Sequence, residues 1–118
     1  MTKNEKEKIY AKLRNGKLQV AAHTIGIDHP DLERILKSPS RTKILHRNFF
    51  CGQDDLMDEL FDEGKALKTI TVPEEKTIWY MLNLKGIAWV EEQLQCITFL
   101  MPTDYLRAIS KYDAKLEI

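Results

Sequence analysis

The chain has 118 residues, 43% hydrophobic and 31% charged, with 18 Lys/Arg against 18 Asp/Glu. That composition excludes a disordered chain and is enough for one core without metal or disulfide staples, so a single domain over 1–118 is expected. No apolar run approaches the ~20 residues of a membrane span, and "MTKNEKEK" lacks a signal-peptide core, so a cytoplasmic protein without membrane contact is expected. The zero net charge hides a polarity. Residues 1–50 carry eleven bases and five acids, residues 51–118 seven and thirteen, balances of +6 and −6. Cys51 and Cys96, with no CxxC, read as reduced thiols.

In chain order, residues 5–14, "EKEKIYAKLR", have helical spacing, with Ile9 and Leu13 on one face. Asn15-Gly16 is expected to end that helix, because both residues tolerate positive φ. Residues 18–26 predict a second short helix, with Leu18, Ala21, Ala22 and Ile25 on one side. His29-Pro30 opens a third, where the missing proline N–H costs nothing, and Leu32, Ile35 and Leu36 form its apolar face. "SPS" at 38–40 breaks the chain, and Ser40 is expected to cap a fourth helix over 41–47 carrying Ile44 and Leu45.

Residues 54–63 are the clearest helix. Leu56, Met57, Leu60 and Phe61 form an apolar stripe, carboxylates fill the remaining face, and Gly64 stops it. Two strands follow over 67–72 and 77–84, joined by the turn "PEEK". Trp79, Tyr80, Met81 and Leu82 are apolar on both faces, as in a strand covered from both sides. Asn83 is expected to cap a helix over 85–95 with Ile87, Val90 and Leu94 inward. Residues 97–101 read as extended, and Thr103 caps a last helix with Leu106, Ile109 and Tyr112. The expected fold is mainly α with a two-stranded β-hairpin.

From residue 54 onward the pattern resembles the second half of a winged-helix domain. There a helix ends in "LxxxG", a hairpin follows, and its second strand runs through "YxLTxKG" into a helix. Leu60 and Gly64 match the first motif; Tyr80, Leu82, Asn83, Lys85 and Gly86 match the second, with Asn83 at the usual Thr position. The chain is also similar to small phage and prophage proteins that join "LRHxLG" and "YRNxF" to such a tail. The corresponding stretches are 21-AAHTIG-26 and 46-HRNFFCG-52. The resemblance implies a winged-helix-like α+β fold and a phage or prophage source, with no assigned activity. It divides the domain into a basic helical half at 1–53, a winged half at 54–96, and a tail with its helix at 97–118. Residues 18–37 also have helix-turn-helix spacing, with small Ala22 where two helices touch and Gly26 at the turn. Three short amphipathic helices without that role fit the same residues.

No P-loop, GxGxxG, GxSxG or HExxH occurs, so neither enzymatic activity nor a cofactor is expected. His23, His29 and His46 lack the spacing of a helical metal pair. His46 with Cys51 is the one nearby thiol–imidazole or half-zinc combination, and a structural histidine is the commoner reading. Asp54, Asp55, Asp58, Glu59, Asp62 and Glu63 lie on a regular helix without the loop calcium needs, so no metal is expected.

Six carboxylates would be repelled from a DNA groove, and "PEEK" adds two more. Nucleic-acid contact is therefore assigned to the basic half, through Arg34, Lys37, Arg41, Lys43 and Arg47, with His29 at the start of the reading helix. The leading expectation is a small, non-enzymatic, phage-encoded DNA-binding regulator. The alternative is an inhibitor of a host system, an anti-CRISPR or other anti-defence protein. It would use Asp54, Asp55, Asp58, Glu59, Asp62 and Glu63 on helix 54–63 to imitate a phosphate backbone. The partner is thus DNA or a host protein complex in the host cytoplasm, with a homodimer left open.

Overall fold

Capping residues and glycine stops set most of the element boundaries. The structure, a computed structural model, describes residues 2–70, 77–95 and 97–116. Within them the order is α1 (Lys3–Leu13), α2 (Gly16–Thr24), α3 (His29–Lys37), β1 (Thr42–Ile44), β2 (Phe50–Cys51) and α4 (Asp55–Asp62). There follow β3 (Ala66–Ile70), β4 (Ile78–Leu82), α5 (Leu84–Gln93), β5 (Thr98–Leu100) and α6 (Thr103–Leu116). The fold is mixed α+β.

Thr2 caps α1 in a reciprocal pair with Glu5. Asn15 does not adopt the positive φ expected of it. At φ −65° it stands at the N-cap of α2, its carbonyl accepting from Gln19 N–H at 2.7 Å. Both α2 and α4 end on a glycine in the left-handed region, Gly26 at φ +86° and Gly64 at φ +76°. The pairs Gly26 N–H to His23 O and Ile27 N–H to Ala22 O close α2, and Gly64 to Phe61 and Lys65 to Leu60 close α4. Those paired bonds satisfy carbonyls that a helix end leaves open.

The helix expected over 41–47 is not formed. Arg41 has φ +49°, and Thr42–Ile44 is instead a strand paired in parallel with β5, Thr42 opposite Thr98 and Ile44 opposite Leu100. Ile44 is 57% exposed while Leu45 is fully buried, so the adjacent apolar pair splits across two faces as extended chain requires. Two neighbouring apolar residues cannot make a helical stripe. The hydrogen bonds come from far along the chain, Thr98 N–H to Arg41 O and Leu45 N–H to Leu100 O, each 2.9 Å.

The hairpin is part of a larger sheet than the expected two strands. β3 and β4 pair antiparallel, and β2 adds to the other side of β4 in the order β2-β4-β3. Phe50, Tyr80 and Lys68 are aligned across the three strands, and so are Cys51, Trp79 and Thr69. Pleating sends these two rows to opposite faces. The first row faces α4, since the Tyr80 hydroxyl and Lys68 Nζ both bond Asp58. The "PEEK" turn and Val72 lie outside the described residues.

Helix α4 buries Met57 and Leu60 completely. Phe61, expected in the same stripe, is 39% exposed, because the buried face narrows to those two residues with Leu56 at its edge. Asn83 caps α5 by accepting from Gly86 N–H at 2.8 Å, and its amide donates to Gly64 O at 2.7 Å. One hydrophobic cluster joins Leu18, Ile25 and Leu32 to Leu60, Tyr80, Ile87 and Ile109. An open groove between β4 and α6 is lined by Leu45, His46, Asn48, Met81, Tyr105 and Ile109 among others.

Candidate nucleic-acid interface

Helix α3 carries two acids and two bases, and they pair within the helix: Arg34 with Asp31 at 2.5 Å and Lys37 with Glu33 at 3.3 Å. Its first turn holds Asp31, which accepts from Asp28 N–H at 3.0 Å. That end of a recognition helix would meet base edges, and here it presents carboxylates. Yet the side chains of Arg34 and Lys37 are 77% and 68% exposed. Exposed pairs contribute only ~0–1 kcal/mol, so a phosphate competes well for either base.

Burial pushes the Asp31 carboxyl up, but the Asp28 N–H, Arg34 and Lys43 outweigh it and hold it below the usual range. Lys43 on β1 therefore shares the field of Arg34. Lys37 follows Arg34 by one turn, and Arg41 leads into β1 two residues before Lys43. Arg47 stands apart. Its guanidinium lies 4.5 Å over the Phe49 ring, and Phe49 meets Trp79 at 5.8 Å between centroids. Trp79 was legible as part of an apolar strand, but its contact with Phe49 was not, because Phe49 precedes a two-residue strand that offers no alternation from which to assign it a face.

The six acids of the 54–63 segment do not form one free face. Asp54 caps α4, accepting from Met57 N–H at 2.9 Å. Asp58 accepts from Lys68 Nζ at 2.7 Å, from the Tyr80 hydroxyl at 2.6 Å and from Gln53. Those three donors, Lys68 foremost, bring its carboxyl down to about 2. Glu63 pairs with Lys17 at 3.0 Å and lies 3.7 Å from Lys65; the Lys17 bond, first among these, holds it below the usual range. Asp55, Glu59 and Asp62 remain exposed, without an ion-pair partner among the described residues. At i, i+4 and i+7 they share one helix face.

His46 Nδ1 contacts Ile44 O at 3.3 Å, and Cys51 is an exposed free thiol, so the structure gives this pair no shared hydrogen bond. Cys96 lies outside the described residues. Among the described residues no group of three His, Cys, Asp or Glu is placed to hold a metal ion, and no helix is long and apolar enough to cross a membrane. Comparison with known proteins finds no matching family model, no matching curated protein and no matching solved structure.

Proposed function

We propose that this chain is a non-enzymatic nucleic-acid-binding protein that contacts phosphates through Arg34, Lys37, Arg41, Lys43 and Arg47. The observation that carries the reading is the exposure of Arg34 and Lys37, 77% and 68%, each held only by a carboxylate of its own helix, with Lys43 near enough to help lower Asp31. The charge balance of α3 and the acids at its start argue for contact along the backbone rather than insertion of α3 into a groove. A phage or prophage regulator built on a winged-helix-like frame is the setting this reading adopts. The winged-helix resemblance supports the frame alone, since Gly64, Asn83 and Gly86 are occupied with joining α4, β3 and α5. A gel shift at low salt tests it. Arg34→Ala with Lys43→Ala should weaken binding at least tenfold, whereas lysines at Asp55, Glu59 and Asp62 should leave it intact or tighten it. No shift by the wild-type chain at low salt would remove the reading.

A second reading is favoured by one observation. Asp55, Glu59 and Asp62 are exposed carboxylates that form no ion pair among the described residues, and the exposed Phe61 lies on the same helix. A basic protein partner, as for an anti-defence inhibitor, would be recognised there. The same triple charge reversal separates the two, because it should abolish protein capture and spare nucleic-acid binding.

A further inference from the structure

We propose that the open edge of β1 is a docking site for an extended acidic peptide of a partner protein, added as a third strand beside Thr42 and Ile44. This goes beyond the nucleic-acid reading and does not depend on it.

β1 and β5 form a two-stranded parallel sheet, and its two edges differ. The β5 edge is closed, because Phe99 N–H donates to the Glu91 carboxylate at 2.7 Å. The β1 edge is open. Arg41 O accepts from Thr98 N–H and Leu45 N–H donates to Leu100 O, so residues 41 and 45 turn their backbone groups toward β5. Direction alternates along a strand, and the groups of Thr42 and Ile44 therefore point away from β5. There His46 Nδ1 reaches Ile44 O at 3.3 Å. Thr42 N–H, Thr42 O and Ile44 N–H have no hydrogen-bond partner among the described residues. Such a row of free donors and acceptors is a template for another strand.

The side chains say which strand fits. Ile44 and Leu100 stand opposite each other in the register and are 57% and 50% exposed, so alternate residues of the incoming strand meet an apolar face. Charge decides the rest. Arg41 and Lys43 have no ion pair among the described residues, and Asp31, whose field Lys43 shares, is held by Arg34. A second copy of this chain is a poor fit. The antiparallel register that uses both Thr42 and Ile44 sets the two copies of Lys43 opposite each other, and like charges there destabilise a pair. An acidic strand turns the same bases into attraction. Arg41 and Lys43 are also proposed phosphate contacts, so peptide and nucleic acid exclude each other on this edge.

The test adds a capped peptide of alternating glutamate and valine to the full chain, without nucleic acid, and follows amide exchange residue by residue. About eight residues suffice, within the usual length of a strand. The amides of Thr42 and Ile44 should become protected. The same peptide N-methylated throughout keeps its charge and side chains but cannot donate, and it should not bind; nor should a peptide with lysine in place of glutamate. Ile44→Pro removes an outward donor and no bond to β5. It should melt like the wild type and lose roughly fivefold or more in peptide affinity. Should that variant melt early, the N-methylated peptide decides alone. No saturable binding at ~1 mM peptide, or equal binding of the N-methylated form, would overturn the site and leave the nucleic-acid reading standing. Where the peptide has no effect, protection of the two amides by an oligonucleotide, or by raising the concentration of the chain alone, would overturn it too.

Discussion

The side-chain amide of Asn48 bonds both backbone groups of Leu82, donating to its carbonyl and accepting from its N–H at 2.8 Å each. It thereby extends the β2–β4 ladder by one step with a side chain instead of a strand. Leu82 is fully buried, so neither backbone group has water as a substitute. Asn48→Ala should therefore cost ~1–3 kcal/mol, the range for buried groups left without partners. Asn48→Asp should do no better, because it sets a second oxygen against the Leu82 carbonyl. Urea unfolding of both variants measures this, and wild-type stability in Asn48→Ala would contradict it.

Gly86 lies so close to the Lys65 backbone that an added Cβ would sit 2.0 Å from its carbonyl oxygen. Helix propensity alone favours alanine over glycine inside α5 by ~1 kcal/mol. Packing predicts the opposite sign: Gly86→Ala should destabilise by at least the ~1–3 kcal/mol of an overfilled core, since backbone cannot yield as a side-chain tip does. A raised melting temperature would contradict the contact.

Acid should loosen the join between α4 and the sheet. Asp58 is held at about 2 against an ordinary 3.8, chiefly by Lys68 and then by Tyr80 and Gln53. A folded value below the unfolded one means that the carboxylate's contribution is complete above 3.8 and fades as pH falls through about 2. The stability gap between wild type and Asp58→Asn should narrow over that window. A gap independent of pH would show that Asp58 does not act through its charge.

Leu60 and Leu32 belong to one buried cluster although they come from the acidic and basic parts of the chain. Leu60→Ala should cost ~2–5 kcal/mol, and the wild type should unfold in one transition by every probe. Independent melting of residues 1–50 would contradict the shared core.

The helices were legible because their signals are local. Asp54, Asn83 and Pro30 open helices, Gly26 and Gly64 close them, and the inward residues of α5 follow from spacing alone. β1 was not legible, because its partner β5 is distant in sequence and nothing near Arg41 announces the pairing. Nor were the roles of the acids. Asp55 and Asp58 look alike in sequence, and only β3 and β4, by bringing Lys68 and Tyr80 to one of them, make it a fastener and leave the other to solvent.

The most direct measurement is affinity for a short oligonucleotide as a function of salt. Contact of four or five bases with duplex phosphates should give a slope of roughly −4 in log K against log salt, and roughly −3 on a single strand. Arg34→Ala with Lys43→Ala should flatten it by roughly 1–2, while lysines at Asp55, Glu59 and Asp62 should not flatten it. A slope near zero, or one flattened by the α4 reversals and not by the arginine and lysine variants, would contradict the account.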